Sequence, residues 1–222
     1  MTDRSVIKQL KNMSPRTAKQ YEAIREERME LLKETALRLF SSNGYEATSI
    51  SVIAKEAGIS KGLMYNYFES KEELLLSLFD DYFRLLGSLL NPNDDNQITN
   101  EEMDSFFGAL TRSLKEKHGY WLLFFQLSMQ PDVLRLILSK LHNAGTMMEH
   151  RNLLWNYFAT RFENPEEEFL FFNTIIKGFS LIYVLSPEIF TDESTGSLLA
   201  RIKKMFIREK LNSGSSPEIR HP

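Results

Sequence analysis

The chain has 222 residues, of which 42% are hydrophobic and 26% charged, with 10 glycines, 7 prolines and no cysteine. That is enough apolar material for one large core or two small ones. It excludes a disulfide scaffold, thiolate catalysis, a cysteine zinc site and a cysteine-ligated iron–sulfur cluster.

The formal charge is −3, yet residues 1–20 hold Arg4, Lys8, Lys11, Arg16 and Lys19 against Asp3 alone. A polyanionic partner would therefore be met locally rather than by a polycationic chain. Met1 is followed by Thr-Asp-Arg and not by an apolar signal core. No apolar run approaches the roughly 18 residues of a membrane helix, and Trp121–Met129 is already broken by Gln126 and Ser128. A cytoplasmic location without membrane contact is expected.

No stretch alternates apolar and polar residues between turn signals, so the reading is all-α. Ser14-Pro15 offers an N-cap with proline at the first helical position. The helix that follows runs to about Asn43, with Met29, Leu32, Ala36, Leu39 and Phe40 on one stripe, and Gly44 ends it. Thr48-Ser49 caps a short helix to about Ala57, and Gly58 turns the chain. Ser60 caps a second short helix, Lys61–Phe68. Ser70 and Glu73 form a capping box for a helix reaching Leu90. The polar run 91–96 is the one clear linker. Further helices are expected from Asn100 to Lys117 and from Gly119 to Gln130. Pro131 opens a longer one that Gly145 bends or breaks. Pro165 begins another that ends near Ser186, and the last spans about Ser194–Leu211. Residues 212–222 read as a disordered tail.

Residues 49–68 have the form helix, glycine turn, helix, which is the helix-turn-helix unit once the helix at 25–43 packs behind it. Ile53, Ala54, Ala57, Ile59, Met64 and Phe68 would form its core. Ser60, Lys61, Gly62, Leu63, Tyr65, Asn66 and Tyr67 are left on the other side, with Lys71 beside them. Hydroxyls and helix N-termini donate to phosphate, asparagine pairs with adenine, and an apolar side chain meets a thymine methyl. The bland alternative is a helical hairpin with idle tyrosines.

The run Leu39-Phe40, Gly44-Tyr45, Ala47-Thr48-Ser49-Ile50, Ile53-Ala54, Ala57-Gly58-Ile59-Ser60-Lys61-Gly62, Tyr65, Tyr67-Phe68, Ser70-Lys71 and Glu73-Leu74-Leu75 resembles the DNA-binding domain of the TetR/AcrR family of bacterial regulators. The resemblance covers about residues 28–76 without an insertion. It implies an all-helical, two-domain protein: a three-helix DNA-binding domain at 25–76, preceded by a basic arm at 1–24 and joined by a connecting helix to a ligand-binding and dimerisation domain at 77–211. It further implies a homodimer on a palindromic double-stranded DNA operator, acting as a repressor and released by a small molecule. Carried over by position, Thr48 and Ser49 would contact phosphate. Lys61, Gly62, Leu63 and Tyr65 would meet bases or backbone, and Tyr67 and Lys71 would hold phosphate. Where many relatives carry arginine, this chain has Ser51 and Asn66.

The second domain is dense in rings. Phe106, Trp121, Phe125, Met129, Met148, Trp155 and Phe172 are candidates to line an apolar cavity for an apolar or aromatic effector. The alternative for each ring is ordinary core packing. The helix from Pro165 is apolar nearly all round and must be covered on two sides. Phe179 and Ile182 on it, with Ile202 and Phe206 on the last helix, are expected at a two-fold, four-helix subunit contact. The alternative is the central helix of a monomer.

The 4 histidines offer no metal set, because His142 and His150 lie about 80° apart around a helix. Acid runs such as Glu166–Glu168 favour helix starts. The expectation is a regulator without catalytic residues, cofactor or metal. The alternative is an all-helical dimeric small-molecule-binding module that does not recognise an operator.

Overall fold

A computed structural model of the chain describes residues 18–91, 93–140 and 145–211. The expected cap at Ser14-Pro15, the charged arm before Ala18, His142 and the tail from Asn212 lie outside the described residues. Every regular element among the described residues is helical.

Helix α1 spans Ala18–Asn43, and α2 and α3 span Ile50–Glu56 and Lys61–Met64. Gly44, at φ +89°, ends α1 in a conformation that only glycine adopts readily. Ser49 and Ser60 cap the two short helices, each side chain accepting from the backbone N–H three residues on. The turn between them is a Schellman motif: Ile59 N–H bonds Ala54 O, Gly58 N–H bonds Lys55 O, and Gly58 has φ +70°. Helix α3 stops four residues short of the expected Phe68. Asn66 N–H bonds Leu63 O and Tyr67 N–H bonds Met64 O, i→i−3 bonds that tighten the chain into turns. This lets Phe68 enter the core while Ser70 starts the next helix.

Helix α4, Lys71–Leu90, is capped by Ser70, which accepts from Glu73 N–H. The reciprocal bond of the expected capping box is displaced by one residue: the Glu73 carboxylate accepts from Glu69 N–H. After the 91–96 loop, α5 spans Asn100–Glu116 behind a complete capping box of Thr99 and Glu102. Helices α6 (His118–Ser128), α7 (Pro131–Lys140) and α8 (Gly145–Ala159) follow, so Gly145 starts a helix of its own. Helix α9 spans Pro165–Leu185. Helix α10, Asp192–Phe206, begins two residues before the expected Ser194 because Thr191 caps it, and it ends before Leu211. Leu211 is instead docked by its N–H to Thr160 O.

One continuous core runs from Leu32 in α1 to Phe206 in α10. Helix α1 packs on α6, α4 on α8 and α5, and α9 on α8. Tyr82 stacks on Phe124 at 4.1 Å, and Phe158, Phe172 and Phe206 form a second ring cluster. Polar ties hold the helix-turn-helix end to the rest. Gln130 donates to Phe40 O at 2.7 Å and accepts from Tyr45 N–H at 2.8 Å. Ser41 bonds Leu123 O across α1 and α6. The buried Lys33 of α1 sits 2.8 Å from Asp81 of α4.

Helix α9, read from the sequence as apolar nearly all round, is long and apolar enough to cross a membrane by length and composition alone, a test that the core helix of a soluble protein also passes.

Candidate nucleic-acid interface

The interface is built from three helix starts. Ser49 opens α2, Ser60 opens α3, and Lys71 is the first residue of α4. The caps fix their directions, and Ile53, Ala54, Met64 and Phe68, all buried, hold the helices together beneath. The outer side is left to Ser51, Val52 and Lys55 of α2 and to Ser60, Lys61, Gly62 and Leu63 of α3, with Tyr65 and Asn66 in the turn. Tyr65 is 46% and Leu63 41% exposed, so both side chains are free to meet a partner. Gly62 has open space around its Cα, so a backbone could approach there.

Ser49, Lys61, Tyr65 and Lys71 meet around one shallow concavity of about 300 Å³, together with Thr48, Ser51 and Glu46. Lys71 is held in place rather than free. Its ammonium donates to Tyr45 O at 3.0 Å, sits 4.2 Å from the centre of the Tyr45 ring and lies 4.0 Å from a Glu46 carboxylate oxygen. Burial, with Glu46 adding to it, pushes the Tyr45 phenol up to about 12, so it stays neutral under the lysine.

Thr48 departs from its expected role. It is buried, and its hydroxyl donates inward to Gly44 O at 2.8 Å, with Leu39 O at 3.3 Å. It braces the α1–α2 turn and presents no free hydroxyl to phosphate. Tyr67 is half-buried, with the Arg25 guanidinium 5.4 Å from its ring centre. Arg25 also donates to Asn66 O at 3.3 Å. The sequence reading missed Arg25. The signal was a basic residue on α1 with no acidic neighbour assigned to it, and only the packing of α1 behind α3 reveals its place. Gln130 was missed as well, because nothing local ties residue 130 to residues 40 and 45.

In the second domain the candidate ligand residues do not converge. Phe106, Trp121, Phe125 and Phe172 are core. Trp121 stacks on Phe125 at 5.9 Å and donates its indole N–H to Ser113, and Phe106 packs against Phe172 at 6.2 Å. Met129 is 58% exposed, and Trp155 and Met148 are part-buried. None of them lines the cavity of about 280 Å³ between α4, the 91–96 loop and α8. The dimer candidates divide in the same way. Phe179, Ile202 and Phe206 are buried inside the subunit, and Ile182 alone of the set is exposed. The exposed apolar side chains are Leu170, Phe171, Ile182 and Leu185 on α9 and Leu198 and Met205 on α10. Of the four expected contact residues, Phe179, Ile202 and Phe206 are therefore core, and Phe206 turns into the Phe158–Phe172 cluster.

Comparison with known proteins gives consistent relatives. Residues 32–78 match the family described as bacterial regulatory proteins, tetR family. The chain is 54% identical over 57 residues to the HTH-type transcriptional regulator YuxN of Bacillus subtilis, a stretch covering 26% of this chain and 20% of that protein. The chain thus spans a fifth of that relative's length. It is 27% identical over 138 residues to IcaR, the negative transcriptional regulator of the biofilm operon icaADBC in Staphylococcus epidermidis, covering 62% of this chain and 73% of IcaR. Among solved structures, NalD, the secondary repressor of the MexAB-OprM efflux pump in Pseudomonas aeruginosa, superposes with a TM-score of 0.59 at 17% identity, over 82% of this chain and 97% of NalD. That last likeness is one of fold.

Proposed function

We propose that this chain, a member of the TetR family of bacterial regulatory proteins, is a cytoplasmic, ligand-responsive repressor that binds a palindromic operator as a homodimer. The carrying observation is the convergence of Ser49, Lys61, Tyr65 and Lys71 on one concavity at the exposed side of a helix-turn-helix unit. Residues 25–76 take the DNA, residues 77–211 take the effector and the second subunit, and the stretches 1–24 and 212–222 flank them. The family's regulators, and the negative regulator IcaR in particular, favour repression over activation and over catalysis.

The DNA chemistry follows from the exposed groups. Lys61 and Lys71 supply charge to phosphate, and releasing counterions there makes affinity fall with salt. Ser49, Ser60 and the helix starts supply N–H and O–H donors. Leu63 and Asn66 reach outward for base edges, and Gly62 lets the backbone close in. The exposed stripe of α9 and α10 offers a two-fold contact that sets two recognition helices ~34–36 Å apart, or a multiple of it. An effector that changes this separation releases the operator.

Selection from random duplexes tests the reading. One enriched palindrome is expected, and no enrichment defeats the operator claim. With the selected duplex, Lys71→Ala should weaken all sequences alike and lower the salt slope by about one unit. Asn66→Ala or Leu63→Ala should instead change the preferred sequence.

A further inference from the structure

The loop that joins α4 to α5 is a linker by composition, yet its spacing is that of a metal loop. From Asn91 to Glu102 the chain reads Asn-Pro-Asn-Asp-Asp-Asn-Gln-Ile-Thr-Asn-Glu-Glu. A helix–loop–helix calcium site takes its ligands from positions 1, 3, 5, 7 and 12 of a twelve-residue loop, with a sharp turn at position 6. Here those positions hold Asn91, Asn93, Asp95, the Gln97 carbonyl and Glu102, with Asn96 at the turn. Helix α4 ends at Leu90 and α5 begins at Asn100, so a helix flanks the loop on each side.

The backbone follows the spacing. Among the described residues, only Asp94 and Asn96 carry a side chain at positive φ, +56° and +60°. Asparagine tolerates that conformation where glycine is usual. Asn93 Oδ1 accepts from Asp95 N–H at 3.4 Å, and Asp95 Oδ1 accepts from Gln97 N–H at 2.9 Å. Ile98, 5% exposed, anchors the far side of the loop in the core, where its carbonyl accepts from Arg161 at 3.4 Å.

The decisive residue is Asn91, which is 7% exposed. Its side-chain oxygen faces acceptors only: Asn93 Oδ1 at 2.6 Å, Gln97 O at 3.1 Å and Asp95 Oδ1 at 3.2 Å. Turned over, the amide offers two N–H hydrogens to those three oxygens, and its own oxygen accepts from Asn96 N–H at 3.1 Å. In either orientation a buried amide is aimed into oxygens that outnumber its donors. Oxygens about 2.4 Å from one calcium ion stand roughly 2.8 to 3.4 Å from one another. The separations around Asn91, 2.6–3.2 Å, are close to that. Glu102 stands in the first turn of α5, where its Oε2 accepts from Thr99 N–H at 2.9 Å. No three His, Cys, Asp or Glu side chains among the described residues are grouped for a metal ion. The set is instead one of amide and carbonyl oxygens with two carboxylates, which suits calcium rather than zinc.

We infer that residues 91–102 bind one calcium ion through Asn91, Asn93, Asp95, the Gln97 carbonyl and Glu102, with water completing the shell. Affinity follows ligand charge, and only Asp95 and Glu102 are charged. The guanidinium of Arg161 beside the loop works against a cation as well. The site therefore belongs at the weak end, with a Kd of about 10⁻⁴–10⁻³ M. Because its ligands come from both ends of the loop, the ion fixes the direction in which α5 leaves α4. None of this depends on operator binding.

The test titrates the full chain with terbium, which occupies calcium sites and emits when a nearby tyrosine is excited. Tyr157 donates to Asn100 at 3.0 Å and so stands beside the loop. Calcium should quench this emission by displacement and should raise Tm relative to chelator. Magnesium, which demands near-ideal octahedral geometry, should bind at least tenfold more weakly. Asn93→Asp adds a ligand charge and should tighten calcium at least fivefold, whereas Asp95→Ala should weaken it at least tenfold. If Asp95→Ala fails to fold, Asn93→Asp decides alone. Asn91→Asp separates an ion site from a merely hydrogen-bonded turn. In chelator its carboxylate faces three oxygens, so Tm should fall, and calcium should restore it to the wild-type value. A fall in Tm that calcium does not restore overturns the site. So does a calcium affinity equal in wild type, Asn93→Asp and Asp95→Ala, or a wild type that shows neither emission nor a calcium-dependent Tm. Equal affinity for magnesium overturns the assignment to calcium.

Discussion

The helix-turn-helix unit and the second domain use the same kind of helix for opposite ends. In residues 49–71 each short helix has one buried side, and from the side left over Ser49, Ser51, Lys61 and Tyr65 meet Lys71 around one concavity. In the second domain α9 is apolar on almost every side, and rings meet rings across α4, α5, α6, α8 and α10. A helix with a single apolar face declares its own orientation. A helix apolar all round does not, and its neighbours decide which residues become core, surface or cavity wall. The difference predicts where substitutions act on folding and where they act on partners.

The largest expected effect tests the assignment of rings to the core. Phe106 is 1% exposed. If it lined a ligand cavity, truncation would enlarge that cavity at modest cost. As core, Phe106→Ala should lose about 3–5 kcal/mol in urea unfolding. A loss under about 1 kcal/mol would restore the cavity reading for that ring.

Next comes the division of α9 into two faces. Ile182 is 50% exposed and Phe179 6%. Ile182→Asp should keep native helix content and a monomeric fold, yet raise the dimer dissociation constant at least a hundredfold, about 2.7 kcal/mol. Phe179→Asp buries a carboxylate without a partner and should unfold the subunit itself. Sedimentation and far-UV circular dichroism separate the two. A dimer indifferent to Ile182→Asp would move the subunit contact elsewhere.

These two tests also mark what could be read from the sequence. The caps at Ser49, Ser60, Ser70 and Thr99 and the turn at Gly58 are local events, so α2 to α5 could be placed from the chain alone. The exposed side of the helix-turn-helix unit followed except at Tyr67, which is half-buried beneath Arg25, while the Thr48 contact that the resemblance implied is lost because carbonyls four and nine residues back capture its hydroxyl. Arg25, Gln130 and the cavity between α4 and α8 each depend on contacts between distant segments, and no spacing announces them. The all-round apolar character of α9 was legible from composition. Which side of α9 and α10 faces outward was not, because Phe206 and Phe179 answer to ring clusters inside the subunit.

A third prediction concerns His150. Burial on folding lowers its pKa from the usual 6.5 to about 4. Between those values the unfolded chain holds the extra proton, so stability falls as pH drops from about 6.5 to about 4 and levels off below. The contribution is of order 2 kcal/mol. Carboxylates titrate in part of the same range, so the measurement is the difference between wild type and His150→Phe across that window. The variant should lose this component of the slope, and identical slopes would show that the imidazole is solvated in the native state.

The smallest expected effect lies at the seam between the two regions. Gln130, just before α7, reads both sides of the α1–α2 turn: its amide nitrogen donates to Phe40 O and its amide oxygen accepts from Tyr45 N–H. The Tyr45 carbonyl in turn accepts from Lys71 beside the helix-turn-helix unit. Gln130→Ala leaves Tyr45 N–H without its partner, while Phe40 O keeps Gly44 N–H. The cost should be about 1–2 kcal/mol. Because the bond joins the two regions, the loss should appear as uneven stability rather than uniform weakening. The amide of Tyr45 should exchange at least tenfold faster, while amides of the Phe158–Phe172–Phe206 cluster keep their protection. Gln130→Glu separates the two bonds. The carboxylate still accepts from Tyr45 N–H, so that amide should remain slow, but it faces Phe40 O without a donor and should lower Tm. If both variants slow or leave unchanged the exchange at Tyr45, Gln130 is a surface contact, and the helix-turn-helix unit is tied to the helices after it through Lys33–Asp81 and Ser41–Leu123 instead.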